Sequence, residues 1–167
     1  NVFPSGLVAL STMSSMATLP LTLEAAEDNT KNKAVAQIMI PATTNIHHVG
    51  DSIAIPILIA VVLATTGIQA MDYGTFLLFT MFYMVAKFGV PSVPGGEVVV
   101  LCPILVEHFG FSPTMAGLLT TLYILMDPFI TTTNVLCNGA LAILMDKICG
   151  RMKSFKEPNG GEAIASA

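Results

Sequence analysis

The chain has 167 residues, of which 53% are apolar and only 11% charged, where an average soluble domain carries about 25% charged residues. Seven Lys and Arg and eleven Asp and Glu are too few to clothe a folded chain of this size in polar surface, so lipid is the expected solvent. The acidic balance, with no Lys/Arg run and no Trp, excludes a basic nucleic-acid-binding face, and no nucleic-acid partner is expected.

The first element, about residues 1–25, has short apolar arms around a Ser/Thr-rich middle that ends at Pro20. This outline predicts a helical hairpin too short to cross a bilayer. The second, about residues 33–70, begins at Lys33 and carries the polar run TTNIHHVGDS, Thr43 to Ser52, at membrane depth. Gly50 marks an unwound turn within it, so a broken helix is expected. Its second part contains 20 uncharged residues between Asp51 and Asp72, enough at 1.5 Å per residue to cover the roughly 30 Å hydrocarbon core. The third element, about residues 73–110, is two half-length apolar segments joined by GVPSVPGG, Gly89 to Gly96. Helices that short, meeting at a Pro/Gly tip, predict a re-entrant hairpin; irregular backbone at membrane depth is tolerated only where protein or a wet cavity satisfies it. The last element, about residues 113–149, opens on Ser112 as N-cap and Pro113 as first helical residue. At about 50 Å it exceeds one crossing, and Pro128, which frees the carbonyl of Ile124, predicts a break or kink. Residues 151–167 are polar and aperiodic, which predicts a disordered tail.

Orientation follows from the basic residues. Lys31 and Lys33 follow the first hairpin and Lys147, Arg151, Lys153 and Lys156 end the chain, while the loops around Asp72 and His108 carry none. The positive-inside rule makes the Lys31 loop and the C-terminus cytoplasmic. The two hairpin-plus-helix units then run in opposite senses. The expected class is an all-α, multi-pass integral membrane protein built on an inverted repeat with discontinuous helices, the signature of a secondary transporter with its site between the hairpin tips. No secretory leader is visible, and residue 1 falls inside a structured segment, so the chain is expected to begin within a longer protein.

Two polar constellations carry the candidate chemistry. Asp127, Thr131, Asn134 and Asn138 are spaced 4, 3 and 4, within roughly a 60° arc of one helix face. An intramembrane carboxylate is a candidate functional group by default; the bland alternative is hydrogen-bonded glue between helices. In the second, Thr43, Asn45, His47 and Asp51 join Asn134 and Asn138 as candidate cation ligands. Hydroxyls, carbonyls and a carboxylate make the hard oxygen site that suits sodium, while His47 and His48 suit proton exchange. The alternative is that the histidines merely satisfy local backbone. A zinc site on His47, His48 and Asp51 fails on spacing, because adjacent helical residues point about 100° apart. Ser14 and Ser15 of the first tip, with the backbone at Val93 and Gly95 of the second, offer donors to an anionic group; ordinary turn chemistry is the alternative. Cys102, Cys137 and Cys149 are odd in number and widely spaced, which leaves them as small core residues rather than a disulfide or metal framework.

Thr12 to Pro20, VPGG at Val93 to Gly96, and the Asp127 to Asn138 stripe resemble, in that order, the first-hairpin motif, second-hairpin tip and final substrate helix of the sodium:dicarboxylate symporters. The resemblance covers about residues 1–150 and implies a C-terminal transport core working by an elevator mechanism. It implies no cofactor and a homotrimer held by scaffold helices that would precede residue 1. It places the family's substrate-amine aspartate on Asp127, with Thr131 and Asn134 also matching. The family's NMDGT motif falls on His47 to Asp51, so Val49 replaces its sodium-binding aspartate. Asn138 replaces a second one, and Glu97 replaces the tip glycine. The arginine that grips an acidic side chain falls on Ile130, and its alternative position on Met13.

Without that guanidinium fork, glutamate and aspartate become poor substrates. The expected substrate set is Ser14, Ser15, Val93, Gly95, Asp127, Thr131 and Asn134, holding a neutral amino acid; a monocarboxylate or other small organic anion remains an alternative. Sodium is the expected coupling ion on family grounds, and protons are the alternative. The expectation is thus cation-coupled symport of a small organic solute across the cell (inner) membrane. A non-transporting paralogue that senses or binds a partner is the second reading. No nucleophile, base and oxyanion arrangement can be assembled, so an enzyme is not expected.

Overall fold

The computed structural model describes residues 2–89 and 93–151. The expected disorder after Arg151 and residues 90–92 of the GVPSVPGG tip lie outside them. The described residues form seven helices: α1 (Phe3–Thr12), α2 (Ser15–Asn29), α3 (Lys33–Thr44), α4 (Val49–Thr65), α5 (Tyr73–Lys87), α6 (Gly96–His108) and α7 (Pro113–Arg151).

Local chemistry explains the ends. α1 stops at Met13, whose left-handed backbone (φ 52°) lets its amide bond the Ala9 carbonyl. Ser14 then caps α2 by accepting the Ala17 amide at 3.3 Å, so two residues turn the chain through the first hairpin. α4 is closed off by Gly67 (φ 70°), just past its last turn, where the Ile68 amide reaches back to the Leu63 carbonyl at 3.0 Å in a glycine-terminated cap. Asp72 caps α5 through the amides of Gly74 and Thr75. Bonds from the Thr75 hydroxyl and amide hold its carboxyl below the usual carboxylate range.

α7 is the spine against which α1, α2, α3, α4 and α6 pack. Ile55, Ile59, Val62, Phe79, Leu101, Leu105 and Leu119 form one apolar cluster between α4, the second hairpin and α7. Ala26, Ala36, Ile40 and Ala142 form a smaller one under the first hairpin. Large apolar side chains also face outward and polar ones are buried beside the apolar core: Phe3, Leu77, Val85, Leu125 and Phe129 are exposed, whereas Ser15, Thr18, Asp51, Glu97, Asp127 and Asn138 are buried. Lys33–Thr65 and Pro113–Gly150 are long and apolar enough to cross a membrane. The cysteines are free and only partly buried.

Of the break or kink expected at Pro128, the break is not there. α7 runs as one 39-residue helix through it. Proline removes one backbone bond, at a cost of about 3 kcal/mol in an isolated helix, but α7 is packed against helices on both sides of that point, and membrane helices tolerate such an interruption. The unwound turn is also displaced from expectation. It occupies residues 45–48, and Gly50 already lies in the first turn of α4.

Asp146, near the end of α7, clamps the α2–α3 loop by accepting the amides of Lys31 at 2.9 Å and Asn32 at 3.1 Å. Asp146→Ala orphans both donors and is expected to cost about 1–3 kcal/mol. Asp28→Ala, at an exposed neighbour, should change stability by less than about 0.5 kcal/mol. Unfolding midpoints in detergent check the difference.

Candidate functional site

The site is built where the α3–α4 break faces the middle of α7. Thr43 and Thr44 turn their hydroxyls back onto the carbonyls of Met39 and Ile40, both at 2.7 Å, and the helix unwinds immediately after them. When it resumes, Gly50 lets α4 abut α7: a Cβ there would lie 2.5 Å from the Ile130 carbonyl oxygen. The Gly50 amide donates to Asn134 Oδ1 at 2.8 Å. Asn134 in turn donates through Nδ2 to Asp51 Oδ2 at 2.7 Å, and Tyr123 Oη donates to Asp51 Oδ1 at 2.6 Å.

Asp51 also faces a cation. Lys87 Nζ, at the end of α5, lies 3.5 Å from Asp51 Oδ2 and 2.8 Å from Glu97 Oε2 in the first turn of α6. It also meets His48 Nδ1 at 2.9 Å. Since an ammonium only donates, that contact makes Nδ1 the acceptor, and Nε2–H donates to the Thr44 carbonyl at 3.0 Å. The same Nδ1 also lies 3.4 Å from Asp51 Oδ2.

Asp127 is held from two sides. Thr131 Oγ1 donates to its Oδ1 at 3.0 Å, and the Gly95 amide at the second tip donates to its Oδ2 at 3.1 Å. Gly95 has φ 68°, a backbone conformation that costs glycine little and that presents this amide to the carboxylate.

Of the expected substrate residues, Ser15, Val93, Asp127, Thr131 and Asn134 line one cavity together with Met13, His48, Asp51, Glu97 and Tyr123. Gly95 reaches Asp127 through its amide, and Ser14 caps α2. The cavity is about 20 Å³, room for roughly one water. Met13 and Ser15 of the first tip and Val93 of the second border it. The expected cation residues take several places. Asp51 and Asn134 line the cavity, His47 Nδ1 and Asn138 Oδ1 pair separately at 2.8 Å, Thr43 bonds its own helix, and Asn45 is exposed at the C-cap of α3.

Two hairpins, a broken helix and a polar-striped helix thus meet at one buried carboxylate pocket. A model of the sodium:dicarboxylate symporter family matches residues 1–148. The chain belongs to this family. Membership implies an integral membrane protein, in keeping with its two membrane-capable helices. Similar relatives include the serine/threonine transporter SstT of Acinetobacter baumannii, 26% identical over 140 residues, 84% of this chain and 34% of the relative. SstT of Streptococcus thermophilus is 29% identical over 112 residues, 67% of this chain and 27% of the relative. Excitatory amino acid transporter 5 of Mus musculus is 26% identical over 165 residues, 98% of this chain and 29% of the relative. The chain thus spans about a third of the length of the curated relatives it matches.

Two features of this chain bear on what it can hold. First, Ile130 does not line the polar cavity: it packs in the apolar core and edges an outer groove with Ile53, Ile57 and Phe129. Met13 does line it. Second, a sodium ion at Asp51 does not fit the residues present, because the carboxylate is already met by an ammonium, a phenol and an amide. Lys87 and Tyr123 were not singled out from the sequence, and Glu97 was noted only as a missing tip glycine. The available signal was that Lys87 is the sole Lys or Arg between Lys33 and Lys147, standing in an apolar segment where a charge calls for a partner.

Proposed function

We propose that this chain is the transport core of a cation-coupled symporter for a small neutral amino acid, working by an elevator mechanism. Residues 1–150 form the core, the α1–α2 and α5–α6 pairs are re-entrant hairpins, and the remainder of the chain is a cytoplasmic tail. The observation that carries the reading is Asp127: a buried carboxylate facing a small polar cavity and capped by a backbone amide of the second tip. Its partners in this closed arrangement are a neutral N–H and a hydroxyl, so a substrate ammonium that replaces the Gly95 amide gains a full charge pair. The substrate carboxylate then meets Ser15, the amides at the start of α2 and Asn134. The relatives' names, a serine/threonine transporter and an excitatory amino acid transporter, support the amino-acid class.

A cavity of about 20 Å³ is smaller than an amino acid, and the reading has the Gly95 amide give way to the substrate at Asp127. Cation coupling is kept as the mode of drive, by sodium or protons, with the ion held elsewhere than at Asp51. His47, Thr43, Asn45 and Asn138 are the candidate residues. In the whole protein, scaffold helices would hold a homotrimer in the cell membrane with the C-terminus cytoplasmic.

The test is uptake by the full-length protein in proteoliposomes, with labelled serine, alanine and aspartate under a sodium gradient and, separately, a proton gradient. Accumulation of a neutral amino acid under either gradient is the expected outcome and names the ion. Binding without accumulation under both would favour the non-transporting reading.

Cavity lining also sets substrate charge. Met13→Arg is expected to admit dicarboxylates as competitors, because the new guanidinium enters the cavity. Ile130→Arg should instead destabilise the protein by about 3 kcal/mol or more, since it buries an unpaired charge in the apolar core. Competition by aspartate, alongside unfolding midpoints, separates the two.

A further inference from the structure

The most unusual group inside this molecule is the Lys87 ammonium. His48, Asp51 and Glu97 offer ligand atoms that all lie within 4.8 Å of one another, a spacing suited to a metal ion. All three are buried: the side chains of His48, Asp51 and Glu97 are 6%, 3% and 4% exposed. Two carboxylates brought this close in a buried place demand positive charge. Lys87 supplies it from within the chain. Its Nζ has Glu97 at 2.8 Å, His48 at 2.9 Å and Asp51 at 3.5 Å, so the three N–H groups of the ammonium have three acceptors arranged around them. The ring of Tyr83, 5.4 Å from Nζ, closes a further side.

We propose that Lys87 is a tethered cation that takes the place of a bound ion at His48, Asp51 and Glu97, and thereby latches the second hairpin to α4. The geometry gives the latch its purpose. Lys87 is the last residue of α5 and Glu97 the second of α6, so the two feet of the tip are joined by one ion pair. Asp51, on the first turn of α4, is the fixed anchor, and Tyr123 and Asn134 of α7 still satisfy it when the ammonium withdraws. An ion at such a site would come and go with its concentration; a lysine is always present. Holding the α5–α6 pair against α4 then needs no ion at this site, and any coupling ion of the transport cycle acts elsewhere. The inference deepens the transport reading but stands on the side-chain cluster, and its test reads ion binding rather than uptake.

The experiment uses the full-length protein in detergent, with chloride salts of sodium and manganese(II) as probes and choline chloride at matched ionic strength as control. Lys87→Met leaves two buried carboxylates without their counter-charge. The variant is expected to gain a saturable rise in unfolding midpoint with sodium or manganese(II), with apparent affinity at least about tenfold tighter than any response of the native protein. Adding Glu97→Gln restores the native charge of the cluster, and the double variant should lose the gained response. A Lys87→Met protein whose cation response equals the native one would overturn the proposal. If Lys87→Met folds in neither salt, manganese(II) binding to the native protein decides, followed by electron paramagnetic resonance. Tight binding abolished by Glu97→Gln would mean that an ion, and not Lys87, fills the site; no such binding, with a double variant that folds, supports the tether. A protein that passes these tests but fails to accumulate substrate would refute the transport reading alone.

Discussion

Asp127→Asn is expected to abolish amino-acid uptake while leaving the fold intact. The amide is nearly isosteric with the carboxylate. Its oxygen can still accept the Gly95 amide, now 3.1 Å away, and its NH2 can donate to Thr131, now at 3.0 Å. The closed form therefore keeps its contacts, and the unfolding midpoint should barely move. What disappears is the negative charge. A substrate ammonium that leaves water for this pocket would then find no counter-charge, a loss of about 2–5 kcal/mol, or roughly 30-fold to several thousand-fold in apparent affinity. Uptake assays alongside thermal unfolding of Asp127→Asn separate the two effects. Wild-type affinity in a folded variant would remove Asp127 from the substrate site and return the polar stripe to helix–helix glue.

How much of this was legible in the sequence depends on the range of the interaction. Signals written within one helix were plain. The helical class and the two long apolar helices follow from hydropathy alone, and Ser112 with Pro113 marks the start of α7 through its own capping chemistry. The stripe from Asp127 to Asn138 is legible because helical periodicity alone places its members on one face, and all four are buried on the same side. Signals that depend on what packs opposite were not legible. Pro128 carries the local signature of a break, yet packing along α7 overrides it. Gly50 reads as a flexible turn, but its missing side chain serves a close approach to a backbone 80 residues further on. Lys87 chooses partners on α4 and α6 that no periodicity links to it, and Tyr123 reaches Asp51 across 72 positions. Ile130 shows the same limit in reverse, since correspondence with a binding position does not say which way the side chain faces once α4 is packed against it.

Gly50→Ala is expected to be among the most damaging small changes in the chain. The added methyl would stand 2.5 Å from the Ile130 carbonyl oxygen, 3.2 Å from its carbon and 3.1 Å from Asn134 Oδ1. The nearest of these atoms is α7 backbone, which has no rotamer to change, so α4 must move away from α7. Overpacking of this kind costs about 1–3 kcal/mol. The same movement pulls the Gly50 amide from Asn134 and disturbs the Asn134 bond to Asp51, and buried polar groups left unsatisfied add about 1–3 kcal/mol. Gly117→Ala is the control. It lies in α7, a Cβ there meets nothing within 4 Å, and alanine should stabilise the helix by about 0.5–1 kcal/mol. The two substitutions add the same methyl and are expected to shift the unfolding midpoint in opposite directions. Equal midpoints would mean that α4 and α7 are not in backbone contact at Gly50, and with that contact would go the geometry that brings Asp51 to Asn134 and Lys87.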